Sequence, residues 1–318
     1  MSPEVLSRSV VALGGGHGLA ASLSALRRVV TDLTAIVTVA DNGGSSGRLR
    51  AEFDCLPPGD LRQALSALCG DDDWGSTWAK VLQHRFHSPG QMDQHSLGNL
   101  LIVAIWELLG DHVGGLDLVG RLLQAEGRVL PMATVPLDIT ADVVGADPAR
   151  PTERSQVRGQ AQVATTRGRV AAVALEPTDP PACPEAVRAV DEADWVVLGP
   201  GSWFTSVIPH LLVPGLREAL ETSASRKLVV LNLEAQDGET EGFAPETHLE
   251  VLADHSSALR LDWVLAEWSS VPDEPALRRT AEAMGARLEL ADLALEGAGP
   301  RHDPVKLARA FSRILGQA

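Results

Sequence analysis

The residues in this chain best suited to chemistry sit where hydrophobic runs stop at glycine. Val10-Val11-Ala12-Leu13 gives way to Gly14-Gly15-Gly16-His17-Gly18, and Gly16, Gly18 and Ala21 satisfy G-x-G-x-x-A. Glycines at that spacing let the backbone approach a phosphate, and the small third residue lets a helix pack closely on its strand. Roughly twenty residues later the run Thr34 to Ala40 stops at Asp41, where a dinucleotide fold places an acid on a ribose hydroxyl. Asp41 opens a second small-residue stretch, Asn42-Gly43-Gly44-Ser45-Ser46-Gly47-Arg48. Its N–H groups can form a nest for a second anion, with Arg48 adding a charge-assisted contact. Together the two loops point to a diphosphate or another phosphorylated ligand; the bland alternative is a pair of tight turns.

Further polar residues fall at comparable places. Trp195 to Leu198 runs into Gly199-Pro200-Gly201-Ser202 with Thr205 close behind, and Asn232 follows the apolar run Lys227 to Leu231. Both stretches read as carboxyl ends of strands, where open α/β sheets bind ligands. Pro57-Pro58-Gly59-Asp60 halts the chain before a helix that carries Arg62 in its first turn, and Asp60 taken alone is a cap. Ser96 is an expected N-cap, with His95 just outside that helix and Asn99 inside its first turn. In isolation His95 reads as structural. Near the end, Arg301-His302-Asp303-Pro304 offers a planar guanidinium suited to a phosphate or a uracil edge, with Asp303 as N-cap and Pro304 as first helical residue.

These groups need a scaffold, and the periodicities supply one. A strand is expected over Ser9 to Leu13, then a helix within Gly14 to Val29 with Leu19, Leu23 and Leu26 on one face, then a strand over Leu33 to Ala40. Helices follow from Leu61, over Trp78 to Phe86, and over Leu97 to Leu109, the last nearly apolar all round and expected to be buried against the sheet. From Val129 to Pro177 the pattern alternates, with Leu137, Ile139, Ala141 and Val143 opposing Asp138, Thr140 and Asp142. A proline- and arginine-rich link, Ala146 to Arg158, leads to strand-like segments at Gln160 to Ala164 and Arg169 to Glu176. The final part reads as a helix over Pro184 to Glu192, a strand over Leu261 to Ala266, a helix over Glu274 to Met284 and a terminal amphipathic helix. The expected fold is α/β: a Rossmann-like, doubly wound, mostly parallel sheet forming one nucleotide-binding domain over 1–318. An antiparallel β excursion at about 129–177 interrupts it. That excursion is a candidate for subunit pairing, and a homo-oligomer is expected.

Composition narrows the partners. The 318 residues include 42 acidic and 27 basic side chains, a net charge of -15, which opposes sequence-independent binding of nucleic acid or anionic membrane. Cys55, Cys69 and Cys183 form no C-x-x-C pair, so neither a zinc site nor a disulfide framework is supported, and a reducing cytoplasm is the expected compartment. Met1 to Ser9 lacks the apolar core of a signal peptide, and no apolar run reaches membrane-spanning length. Asp71-Asp72-Asp73 suggests a metal site only weakly, since such runs are usually surface.

The glycine loop, the string Thr38-Val39-Ala40-Asp41-Asn42-Gly43-Gly44-Ser45-Ser46-Gly47-Arg48-Leu49-Arg50 and Pro57-Pro58-Gly59-Asp60-Leu61-Arg62 resemble the bacterial gluconeogenesis factor family. This is the YvcK-like branch of a superfamily that also contains CofD, the 2-phospho-L-lactate transferase. The resemblance continues through His95-Ser96-Leu97-Gly98-Asn99-Leu100, Gly199-Pro200-Gly201-Ser202 with Thr205-Ser206, Asn232-Leu233 with Gly238-Glu239-Thr240, and Arg301-His302-Asp303. It implies a ligand-binding role for Gly15, Gly16, His17, Gly18, Asp41, Asn42, Gly43, Gly44, Ser45, Ser46, Arg48, Asp60, Arg62, His95, Asn99, Gly199, Gly201, Ser202, Thr205, Asn232 and Arg301.

What the resemblance implies is a cytoplasmic regulatory protein that binds a nucleotide sugar, UDP-N-acetylglucosamine or UDP-glucose, and acts in carbon metabolism, cell shape and cell-wall precursor supply. The rival is a CofD-like enzyme moving a phospholactyl group from a nucleotide-activated donor with Mg2+, which would call on Asp41 and Asp60 as metal ligands. A nicotinamide-dependent oxidoreductase, which the first glycine loop alone would invite, leaves the later loops unexplained. The chain departs from the family at His17, usually threonine, at Asn42, where a second aspartate is more usual, and at Glu241, usually aspartate.

Overall fold

The computed structural model describes residues 5–147, 149–236 and 238–317. Part of the N-terminal segment judged not to be a signal peptide, residues 1–4, therefore lies outside the described residues. Seven strands form a parallel sheet in the order β10-β9-β8-β7-β1-β2-β3, with β1 Leu6–Gly14, β2 Val30–Val37, β3 Arg128–Pro131, β7 Trp195–Leu198, β8 Arg226–Val230, β9 Trp263–Glu267 and β10 Arg287–Ala291. Val10 to Leu13 and Val196 to Leu198 are almost entirely inaccessible, as expected of central strands covered on both faces. The strand order reverses between β1 and β7, whose register pairs Leu13 with Leu198. Right-handed crossovers stepping toward β3 and toward β10 put their helices on opposite faces of the sheet. On one side α1 (Gly16–Leu26) packs against α3 (Pro58–Ala67) and α12 (Pro304–Leu315); on the other, α8 (Pro184–Glu192) meets α9 (Pro214–Thr222), and α10 (Pro245–His255) meets α11 (Glu274–Ala283).

The β excursion is smaller than expected. Arg128–Pro131 pairs in parallel with β2 and belongs to the main sheet, so the excursion is the three-stranded antiparallel sheet β5-β4-β6, built from β4 (Asp138–Val144), β5 (Arg154–Arg158) and β6 (Arg169–Glu176). Arg154–Arg158, expected to be a link, is an edge strand. Gln160–Ala164, expected to be a strand, is a short helix, α7. Five residues are too few for alternation to be told from one helical turn, and Gly159 at φ +99 supplies the corner.

Other boundaries shift for local reasons. The second glycine loop closes at Gly43, and Gly44–Phe53 is already helix α2, so Ser45 and Ser46 lie in a helical first turn rather than an open nest. Helix α3 starts at Pro58 with Pro57 as its N-cap residue, so Asp60 sits within the first turn and is not the cap. The expected helix over Trp78 to Phe86 is Asp73–Gln83 (α4), capped by Asp72, whose carboxylate accepts from the Gly75 N–H at 2.7 Å. Asp71 pairs with Arg27 and Arg28. Helix α5 (Leu97–Leu109) is not buried all round. It packs on α3, α4 and α6 (His112–Leu123), leaving Leu108 83% and Leu109 50% exposed, because composition cannot reveal which side of an all-apolar helix is covered. Asp303 caps α12 as expected, accepting from the Val305 N–H at 2.7 Å. Among the described residues no helix is long and apolar enough to cross a membrane.

Candidate functional site

The site lies where β1 and β7 release the chain on either side of the strand-order reversal, and close backbone crossings build it. A Cβ on Gly18 would stand on the Pro200 carbonyl oxygen and 2.6 Å from Gly201 Cα, so the start of α1 rests directly on the loop after β7. A Cβ on Gly15 would come within 2.5 Å of both Asp60 Oδ2 and Thr38 Oγ1, and one on Gly59 would lie 2.6 Å from Asp41 Oδ2. Glycine is thus required at these points by neighbours rather than by backbone angle. Gly16 is different: at φ +56 it makes the turn that opens the helix.

These crossings frame two concavities. The larger, about 840 Å³, is lined by Gly15, Gly16, His17 and Gly18 from the first loop, by Asp41 and Asp60, by Gly201, Ser202 and Thr205, by Asn232, and by Arg301 at its rim. The smaller, about 300 Å³, is lined by Gly43, Gly44, Ser45 and Ser46 at the start of α2, and by Arg62, Asn99 and Arg85. Gly16, His17, Asp41 and Asp60 line both and form the divide between them.

The walls are held by side-chain amides and one buried acid. Asn232 grips Gly201 from both sides, its Oδ1 accepting from Gly201 N–H at 2.9 Å and its Nδ2 donating to Gly201 O at 2.8 Å. Glu239, 3% exposed, accepts from the hydroxyls of Ser202 and Thr205 and from Phe204 N–H, which fixes the turn after β7. Its pKa is raised, with burial the main cause. Behind the smaller concavity, Ser45 Oγ lies 3.1 Å from His95 Nδ1 and accepts from Asn99 Nδ2 at 3.2 Å.

The divide carries strained electrostatics. Burial, followed by the neighbouring Asp41 charge, raises the Asp60 pKa to about 6 against hydrogen bonds from Thr38 and the Gly16 N–H. Asp41 is raised as well, again by burial, although it accepts from Gly43 N–H at 2.8 Å. Two under-compensated carboxylates at the junction of two polar concavities can bind ligand hydroxyls, share a proton or hold part of a cation's shell. Among the described residues no group of three or more His, Cys, Asp and Glu side chains is placed to hold a metal ion.

Not every expected residue faces a cavity. Arg48 turns away, donating to the Gln91 and Asp93 carbonyl oxygens at 3.0 and 2.7 Å. It lines neither concavity. Asn42 bonds to α7, His95 stands behind Ser45, and Gly199, at φ +74, makes the turn after β7 while its carbonyl accepts from Ser22 Oγ. Sequence reasoning missed Gln160, Ala161 and Ala164 of α7 as a wall of the larger concavity, a consequence of reading that helix as a strand. It also passed over His302, which lines the same cavity with a buried Nε2 that lacks a partner among the described residues and a pKa lowered by burial to about 4. Arg85 had no signal, being a lone exposed arginine in a loop.

The chain and its fold are similar to those of known proteins. The family described as 2-phospho-L-lactate transferase CofD matches residues 10–299. A Mycobacterium tuberculosis protein named "Putative gluconeogenesis factor" is 53% identical over 312 residues, covering 97% of this chain and 91% of its own. The "Gluconeogenesis factor" of Halalkalibacterium halodurans is 36% identical over 266 residues, 84% of this chain and 79% of that one. The crystal structure of a UPF0052 family member from Bacillus halodurans superimposes with a TM-score of 0.85 at 33% identity, covering 96% of this chain and 98% of that one.

Proposed function

The chain belongs to the CofD family, in its gluconeogenesis factor branch, and from that premise we propose that it is a cytoplasmic regulatory protein that binds a UDP-sugar in the larger concavity. The observation that carries this reading is the meeting of the α1 start with the loop after β7 at the strand-order reversal, beside a cavity of about 840 Å³. A helix N-terminus and glycine backbone suit a diphosphate, and the volume suits a nucleotide with a sugar attached. Asp41 supplies an acceptor for ribose or sugar hydroxyls, Asn232 holds the opposite wall, and Arg301 closes the rim with a planar cation. In this role the protein couples the supply of cell-wall precursors, and with it cell shape, to carbon metabolism by sensing the nucleotide-sugar pool.

The test is calorimetry with UDP-N-acetylglucosamine, UDP-glucose and NAD+. Saturable binding of a UDP-sugar with silent NAD+ is expected; the reverse pattern would sink the proposal.

A CofD-like transferase is the second reading, and the observation in its favour is the pair of raised carboxylates at the divide. Two carboxylates fit Mg2+, which typically keeps several waters and takes the rest of its shell from substrate phosphates. There Asp41 and Asp60 would hold the ion, which would supply charge neutralisation at the diphosphate. Turnover of a nucleotide-activated phospholactate with Mg2+ would favour this reading over the first.

A further inference from the structure

Arg62 is 6% exposed, yet no carboxylate lies within ion-pair distance of it among the described residues. Its Nε donates to Asn99 Oδ1 at 2.9 Å, its Nη1 donates to Gln83 Oε1, and its Nη2 has no partner among the described residues. Buried guanidinium groups are rarely left without an anion, because desolvation is offset only by an opposite charge. Here the arrangement is built to keep this one in place. A Cβ on Gly98 would lie 2.9 Å from Arg62 Cγ and Cδ, so glycine there makes room for the stem, and Gln83 is itself oriented by donating to Gln63 Oε1 at 2.9 Å.

Arg62 faces the smaller concavity together with Arg85, whose charge adds to its own. The start of α2 adds backbone donors, and Ser45 and Asn99 add polar ones. We propose that the smaller concavity is a binding site for a small anion, a phosphate or carboxylate group gripped by Arg62 and Arg85, and that it is occupied alongside the nucleotide rather than by it. The volume of about 300 Å³ argues for a separate ligand, since it suits a molecule far smaller than a nucleotide, and because Asp41 and Asp60 line this concavity too, the anion sits at its Arg62 and Arg85 end, away from the divide. The proposal does not depend on which nucleotide fills the larger cavity.

The test titrates the full chain with inorganic phosphate and, separately, with malonate, following heat and melting temperature with and without saturating UDP-N-acetylglucosamine. One or both anions should bind saturably and raise the melting temperature, and should do so equally in the presence of the nucleotide sugar. The arm that responds identifies the anion class. Arg62→Gln should melt within a few degrees of the parent in anion-free buffer yet bind the anion about tenfold more weakly or worse, as expected for a lost charge-assisted contact. Arg85→Ala, an exposed change that leaves the buried network untouched, should weaken the anion about threefold or more and so tests the site even if Arg62→Gln fails to fold. A parent that binds neither anion overturns the proposal. So does anion binding indifferent to the Arg85 change, or strict competition between the anion and the nucleotide sugar.

Discussion

Asn42 gives both ends of its side-chain amide to helix α7: Oδ1 accepts from Ala161 N–H at 3.1 Å, and Nδ2 donates to Gln162 Oε1 at 3.0 Å. The residue that departs from the family's usual aspartate thus joins the second glycine loop to a helix of the antiparallel excursion, and that helix walls the larger cavity. An aspartate could accept from Ala161 but could not donate to Gln162.

Asn42→Ala should therefore loosen α7 without unfolding the sheet. Arg158 and Arg167 flank the helix and are exposed, so limited trypsin digestion reports on it. Loss of about 1 kcal/mol of local hydrogen bonding predicts cleavage there about fivefold faster, with global melting nearly unchanged. Asn42→Asp should fall between the two. Identical digestion of parent and Asn42→Ala would show that α7 is held by other contacts.

Gly18→Ala tests the crossing of α1 over the loop after β7. The added methyl has no room against Pro200 and Gly201. Overpacking of this kind costs about 1–3 kcal/mol, and because the displaced atoms form the cavity floor, nucleotide-sugar affinity should fall further than stability does. A variant as stable as the parent with unaltered affinity would mean that the two loops are not in contact in solution.

The Asp60 carboxyl gives a pH signature. Its folded pKa, about 6, lies above the ordinary aspartate value, so its contribution to stability is fully present below that ordinary value and is lost as pH rises through about 6. Roughly two pKa units correspond to an effect on the order of 2–3 kcal/mol. Asp60→Asn cannot ionise, so its melting temperature should exceed the parent's at pH 8, and the gap should close by pH 4. Parallel melting-temperature curves for the two proteins across that range would refute the buried, repelled carboxylate.

Arg301 is exposed at the cavity rim, in a segment where Asp303 already supplies the helix cap. Arg301→Ala should melt within a few degrees of the parent while losing about tenfold in UDP-sugar affinity, about 1.4 kcal/mol. Normal binding by this variant would remove Arg301 from the site.

By itself the sequence determined the elements whose causes are local. Four apolar residues running into glycines could only be a buried strand meeting a tight turn; alternation from Leu137 to Val143 marked a strand with one wet face; Asp303-Pro304 marked a helix start. The mostly parallel α/β sheet followed from these pieces, since strands that alternate with amphipathic helices have few ways to pair. Tertiary structure decided everything that depends on what stands opposite. Arg128 to Pro131 could have joined either sheet and joined the one whose edge β2 left open. Leu108 is as apolar as Leu61, yet one is exposed and the other buried, because α3 faces the sheet layer and α5 packs outside it. Arg48 and Arg62 look alike in the string. Helix α2 turns the first onto backbone carbonyls, whereas Gly98 makes room for the stem of the second, which lines a cavity with Arg85, Asp41 and Asp60. Burial and pairing are relations between residues distant in sequence, and no local pattern encodes them; the fold therefore fixes which of the polar residues become a site.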